Sequence, residues 1–171
     1  IVLTGNAKAF AAGTYDSTQR LIIDSEYQAM ASETTRSANA TDFNGIHLLN
    51  GTLSSSTHNG SGMNSTGKLK IHFGTGNDSS EDYYYITIGS TTASSLGVGN
   101  QALNDTGGIR DGGTVSTQES AQKSLEAITQ AIVSKHKIRA HLGAIQNRLE
   151  NTISNLNTQA ENLQNAESRI S

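Results

Sequence analysis

Apolar residues recur along this chain with two different periods, and the changes of period divide it into three parts. In residues 17–38, Ile23, Tyr27 and Met30 follow one another at spacings of four and three, the spacing of one helical face. Asp16 or Ser17 can cap the start of this helix, because either side-chain oxygen can accept a bond from an unpaired N–H of the first turn. The stripe weakens at Thr34 and Ser37, and the helix is expected to stop near Asn39. Two Asn-Gly pairs follow, Asn44-Gly45 and Asn50-Gly51, which favour turns with positive φ. Residues 1–12 read as the tail of another helix, so residues 1–51 form an N-terminal helical part.

Residues 52–115 have a different character. Residues 52–67 are Ser, Thr, Gly and Asn with almost nothing to bury, which is loop composition. Residues 68–73 then alternate polar and apolar, placing Leu69, Ile71 and Phe73 on one face of a half-buried strand. Residues 82–89 suit a second strand through their aromatic and β-branched content, with Tyr84, Ile86 and Ile88 facing one way. The two are expected to form an antiparallel hairpin. Residues 90–115 return to loop composition, pinned by Leu96, Val98, Leu103 and Ile109.

From residue 116 to 171 a helical pattern runs to the end of the chain. Ser116 or Thr117 with Glu119 resembles a capping box. Ile128, Leu142, Leu149, Leu156, Leu163 and Ile170 share one seven-residue register, with Lys135 as its polar member. Leu125, Ile132, Ile138, Ile145 and Ile153 occupy adjoining positions, which makes a coiled-coil-like seam. A helix over this span would be roughly 80 Å long. Such a helix, polar outside its seam, needs partner helices along its length. The helix over residues 17–38 is too short to supply them, so the chain reads as part of a larger helical assembly.

Composition supports an extended helical architecture over a thick core. Hydrophobic residues make up 34% of the 171, Trp is absent and Phe occurs three times, which leaves little to fill a spherical interior. Pro is absent, so nothing in the sequence kinks the long helix. Cys is absent as well, which removes disulfides and thiolate metal sites. The net charge of −3 does not point to nucleic acid, and no apolar run is long enough for a membrane span.

Candidate chemistry is sparse. His136 and His141 are five apart, which does not place them on one helical face as a zinc pair. His47, His58 and His72 are scattered. Gly74-Thr75-Gly76 and Gly97-Val98-Gly99 lack the spacing and Lys of a phosphate loop and read as turn glycines. Lys135, Lys137 and Arg139, with the two nearby histidines, form a basic cluster that reads as a solvated helix face meeting acidic neighbours. Strand alternation sends Tyr84 to the face opposite Tyr83 and Tyr85, so the three tyrosines do not make one flat sugar platform. No nucleophile–base pair is evident; neither an enzyme nor a cofactor is expected.

The stretch Leu142-Gly143-Ala144-Ile145-Gln146-Asn147-Arg148-Leu149, continuing through Ile153-Ser154-Asn155-Leu156, resembles the C-terminal core helix of bacterial flagellins. So do Ala160-Glu161-Asn162-Leu163 and Ala166-Glu167-Ser168-Arg169-Ile170. Asp42-Phe43-Asn44-Gly45 with Leu48-Leu49-Asn50-Gly51 is similar to the turn after that family's second core helix. The resemblance implies a mainly α, rod-shaped core domain with a small β-hairpin and one long C-terminal helix. It implies a structural subunit of the extracellular flagellar filament, whose partners are other flagellin subunits. The terminal polymerisation segments would lie outside this chain, so that it should polymerise poorly. The seam residues Ile128, Leu142, Leu149, Leu156 and Leu163 would hold the rod together. An alternative implied by the same resemblance is a ligand of Toll-like receptor 5. Of the positions that family uses, Glu26 matches, whereas Val2, Gly5 and Asn6 do not. The polar residues Asn6, Lys8, Thr34 and Ser37 are further departures from an apolar seam.

Overall fold

Asp16 initiates the second helix of the chain. Its backbone is extended, its carboxylate accepts the Ser17 N–H at 2.7 Å, and Gln19 Oε1 accepts the Asp16 N–H at 3.2 Å, a reciprocal capping box. The helix, α2, runs Ser17–Ala40 and ends at Thr41, whose hydroxyl donates to Ser37 O at 2.8 Å. Before it lies α1, Val2–Ala11, and the long helix of the chain is α4, Gln118–Ile170, continuous over 53 residues. This computed structural model describes residues 2–11, 13, 15–59, 66–79, 82–100 and 112–170. It resolves two compact units, Ile1–His136 and Lys137–Ser171.

The first unit holds all the strands described, as antiparallel pairs. β1 (Asp42–Phe43) and β2 (Ile46–His47) flank the Asn44-Gly45 turn, whose φ values of 52° and 78° are those of a tight hairpin turn. β3 (His58–Asn59) pairs with β4 (Thr66–Gly67). β5 (Leu69–His72) pairs with β6 (Tyr83–Ile86), with Leu69 opposite Ile86 and Ile71 opposite Tyr84. Tyr84, Ile86 and Ile88 are all buried, as alternation requires.

A short helix, α3 (Ala93–Leu96), follows the hairpin. Thr92 Oγ1 accepts the Ser95 N–H at 3.4 Å to start it, and Gly97, in the left-handed region at φ +78°, stops it.

The core is made largely of small residues. Ala7, Ala31, Ala93, Val98, Val115, Ala121, Ile128 and Ala131 gather around the fully buried Tyr27, with Ile23, Leu96 and Leu125 packed against them. Small side chains let backbones approach. A Cβ on Gly99 would stand 2.5 Å from Ala31 Cβ, and one on Gly112 would stand 2.6 Å from Ala127 Cβ, so glycine is required at both close approaches.

Several expectations need correction. Residues 52–67 are not loop alone: Leu53 is fully buried, and β3 and β4 fall within the segment. One leucine among polar residues has no period to reveal it. Backbone bonds fix it, Ile88 N–H to Leu53 O at 3.1 Å and Gly67 N–H to Thr52 O at 2.7 Å. Residues 90–115 likewise contain α3, too short for a periodic signal, while Leu103 and Ile109 lie outside the described residues. The long helix is capped at Thr117, whose Oγ1 accepts the Ser120 N–H at 3.1 Å, and Glu119 pairs with Lys123 at 3.3 Å instead of reaching back.

Candidate functional site

The most organised polar chemistry in the first unit joins α2 to the segment entering α4. Asp24 and Gln28 stand one helical turn apart on α2, on either side of Tyr27, and all three reach the 112–115 segment. The Val115 N–H donates to Asp24 Oδ1 at 2.7 Å, and Thr114 Oγ1 donates to the same oxygen at 2.8 Å. Tyr27 OH donates to Gly112 O at 2.7 Å, and that carbonyl also accepts the Gly99 N–H at 2.9 Å. Gln28 bridges two strands of loop, its Nε2 donating to Gly113 O at 2.7 Å and its Oε1 accepting the Asn100 N–H at 2.8 Å. From α4, the fully buried Ser124 donates to Thr114 O at 2.8 Å. Burial pushes the Tyr27 hydroxyl above its ordinary value of 10.0, against the bonds from Ser124 and Gly99 that pull the other way. Every group here is satisfied by structure, so the cluster locks loop to helix and offers no poised acid, base or nucleophile.

The residues singled out in the sequence are distributed unevenly. Of the proposed seam, Ile128 is buried at 4% exposure. Leu142, Leu149 and Leu156 are half-buried in the second unit, and Leu163 is 72% exposed. Glu26 stands exposed on α2, on a surface that also leaves Leu21 and Ile22 64% and 65% exposed. Of the first-helix positions, Gly5 is exposed within α1, and the side chains of Val2 and Asn6 lie outside the described ones. Lys8 and Ser37 are exposed, and the Thr34 hydroxyl donates to Met30 O at 2.9 Å.

The remaining candidates read as structural. His136 and His141 are exposed, and among the described residues no group of three or more His, Cys, Asp or Glu could hold a metal. Gly74 and Gly76 crowd Asp82, whose carboxylate accepts the backbone N–H groups of Asp78 at 2.9 Å and Gly76 at 3.1 Å. Those bonds hold it below the usual carboxylate range. Lys70 Nζ lies 3.7 Å from the centre of the Tyr83 ring, and Tyr85 meets Tyr83 edge-on at 5.5 Å, while Tyr84 packs against Phe73 on the other face. An open apolar groove of about 190 Å³ lies among Thr34, Leu96, Val98, Ile128, Ile132 and Lys135, with Lys135 as the one ionisable group among the described residues of its lining. Among the described residues no helix is long and apolar enough to cross a membrane.

Residues 125–171 match the family model described as the bacterial flagellin C-terminal helical region. Flagellin FlaB2 of Treponema pallidum (strain Nichols) is 34% identical over 165 residues, covering 94% of this chain and 52% of that protein. The flagellar filament 33 kDa core protein of Treponema phagedenis is 36% identical over 164 residues, with the same coverage. The protein named "Putative flagellin YvzB" of Bacillus subtilis (strain 168) is 37% identical over 142 residues, covering 83% of this chain and 73% of that one. The crystal structure of Bacillus cereus flagellin superposes with a TM-score of 0.59 at 22% identity, over 86% of this chain and 70% of that one, a likeness of fold. The fold is therefore that of a mainly helical protein ending in one long helix, with small antiparallel strand pairs between its helical parts. The chain belongs to the bacterial flagellin family. It spans about half the length of the two Treponema proteins.

Proposed function

We propose that this chain serves as core material of a flagellar filament subunit, a structural role carried out outside the cell against other flagellin subunits. The observation that carries the reading is the similarity over 94% of the chain to a protein named for the filament core, joined to a long helix whose apolar stripe beyond residue 137 is half-buried at Leu142, Leu149 and Leu156 and exposed at Leu163 and Ile170. A stripe of that kind is useful where other helices cover it and costly where water does. The packed junction of Asp24, Tyr27, Gln28 and Ser124 would give such a subunit a stiff unit without any reactive group. The receptor-ligand reading has one matching residue, Glu26, against mismatches at Val2, Gly5 and Asn6, and is the weaker of the two. The test is to shear filaments from cells that express the protein and to look for its peptides by mass spectrometry. Recovery in the filament fraction at the stoichiometry of a main or minor subunit supports the role; expression in the cell with no recovery from filaments overturns it.

A further inference from the structure

The sequence holds three Asn-Gly pairs, and the two described in full, Asn44-Gly45 and Asn50-Gly51, sit in turns of opposite character; Gly60, of the pair Asn59-Gly60, lies outside the described residues. Asn44 and Gly45 are exposed at the tip between β1 and β2, at φ 52° and 78°. The Asn44 side chain makes no hydrogen bond among the described residues. A Cβ placed on Gly45 would meet nothing within 4 Å. The strands that frame the tip hold it weakly. Each has two residues, Asp42, Phe43 and His47 are exposed, Phe43 to 74%, and only Ile46 is half-buried. A hairpin of this size with so little buried opens readily.

Asn50-Gly51, by contrast, is pinned. Asn50 is half-buried, and its Oδ1 accepts the Thr52 N–H at 3.0 Å and the Thr52 hydroxyl at 2.8 Å, an Asx turn. On one side Leu49 O accepts the Thr91 N–H at 2.9 Å. On the other, Gly51 O accepts the Ser54 N–H at 3.1 Å and the Ser54 hydroxyl at 2.6 Å. A Cβ on Gly51 would stand 3.2 Å from Ser90 Cβ, so a neighbouring loop packs against this turn.

We propose that Asn44 is a site of spontaneous deamidation, and that the fold directs the change to Asn44 and away from Asn50. Hydroxide removes the Gly45 N–H proton, and the nitrogen attacks Asn44 Cγ. A bond forms between those two atoms. The bond from Cγ to Nδ2 breaks, and Nδ2 leaves as ammonia with a proton from water, which returns the hydroxide. A five-membered succinimide remains. Water adds to one of its two carbonyls and opens the ring to aspartate or to isoaspartate. One water is consumed and one ammonia released, and no cofactor or partner takes part. Glycine after the asparagine favours the attack because no Cβ shields the nitrogen. Asn44 must rotate out of its turn conformation to react, so the rate follows the opening of β1–β2. At Asn50 the same rotation would break both Thr52 bonds and disturb the packing against Ser90.

The product changes the turn that follows α2. Isoaspartate adds a methylene to the backbone, which removes the left-handed pair that a tight hairpin turn requires. Either product adds a carboxylate close to Asp42 and makes the chain one charge more negative than its −3. The site therefore records the age of the protein, whatever the assembly it belongs to.

The test is to incubate the full chain at mildly alkaline pH, folded and in parallel in urea, and to follow its peptides by mass spectrometry. Electron-transfer fragmentation locates each change and separates isoaspartate from aspartate. In the folded chain Asn44 should convert about tenfold faster than Asn50, since hydrogen bonds hold the second in place. In urea the two rates should converge. Equal rates in the folded chain, or faster conversion at Asn50, overturn the proposal. A ratio that persists in urea does so as well, because the fold would then not be its cause.

Discussion

Replacing Asp24 with Ala should destabilise the first unit by about 2 kcal/mol, and the structure says why the figure is neither larger nor smaller. Val115 is fully buried, and its N–H donates to Asp24 Oδ1 at 2.7 Å, its single acceptor among the described residues. Removing the carboxylate leaves that donor orphaned, at a cost of about 1–3 kcal/mol, and also removes a charge-assisted bond. Two features hold the cost down. Asp24 is half-buried, so water can reach part of the vacated space, and Thr114 Oγ1 keeps a second partner, Ser116 Oγ at 3.1 Å. In a chain of this length the loss corresponds to a melting point lowered by about 4–8 °C. Thermal unfolding followed by tyrosine near-ultraviolet circular dichroism measures it, and amide exchange at Val115 reports the same bond locally. Asp24→Asn keeps an acceptor while losing the charge and should cost about half as much. If Asp24→Ala melts within a degree of the parent, or if the Val115 amide exchanges no faster, the junction does not anchor the segment entering α4.

The remaining predictions concern the same unit and the long helix. Tyr27→Phe should cost only about 1 kcal/mol at neutral pH in urea unfolding, because Gly112 O keeps the Gly99 N–H when the hydroxyl is gone. Burial raises the Tyr27 pKa above 10.0, so the unfolded chain loses that proton first; the stabilisation is full below about pH 10 and is lost as pH rises toward the folded value. Parent and Tyr27→Phe stabilities should therefore converge in alkali, and a constant gap would count against the buried hydroxyl. Gly99→Ala should destabilise by about 2–4 kcal/mol, from φ +76° and a Cβ only 2.5 Å from Ala31 Cβ, whereas Gly143→Ala, with open space around it, should stabilise α4 by about 0.5–1 kcal/mol. Calorimetric melting points moving in opposite directions check the pair. Leu53→Ala should cost about 2–5 kcal/mol, measurable as a lowered urea midpoint, because that side chain is wholly buried.

Sequence patterning revealed the elements that repeat and missed those that depend on single residues. The Ile23–Tyr27–Met30 face located α2 because about two turns of helix give a period something to show. Alternation located β5 and β6 and their faces for the same reason. Leu53, α3 and the β3–β4 pair left no such trace: each rests on one residue or one turn, and long-range backbone bonds decide them. The polar junction was equally invisible, since Asp24 meets Val115 across 91 residues of sequence. The apolar signal also favours bulk, so Ala7, Ala31, Ala93, Ala121 and Ala131 went unremarked although they line the core. What could have flagged them is the glycine content of the facing loop, because Gly99 and Gly112 need small neighbours.

One register of α4 carries two kinds of packing. Buried Ala121 and Ile128 share the a positions that Leu142, Leu149 and Leu156 continue, and buried Ser124 and Ala131 share the d positions of Ile138 and Ile145. In the first unit these positions are mostly small, and stability there comes from close backbone approach and from satisfied hydrogen bonds such as Ser124 to Thr114. Exposed Lys135 interrupts the a series, and beyond it the a positions turn to leucine and isoleucine, while the d positions run Ile138, Ile145, Thr152, Gln159 and Ala166. Bulk at a and d does little for a helix by itself, because its contribution is realised only when another helix removes it from water. The change from alanine to leucine along one stripe therefore divides labour. The first part of the helix is packed within its own unit, and the leucines of the second part contribute to stability only where something covers them.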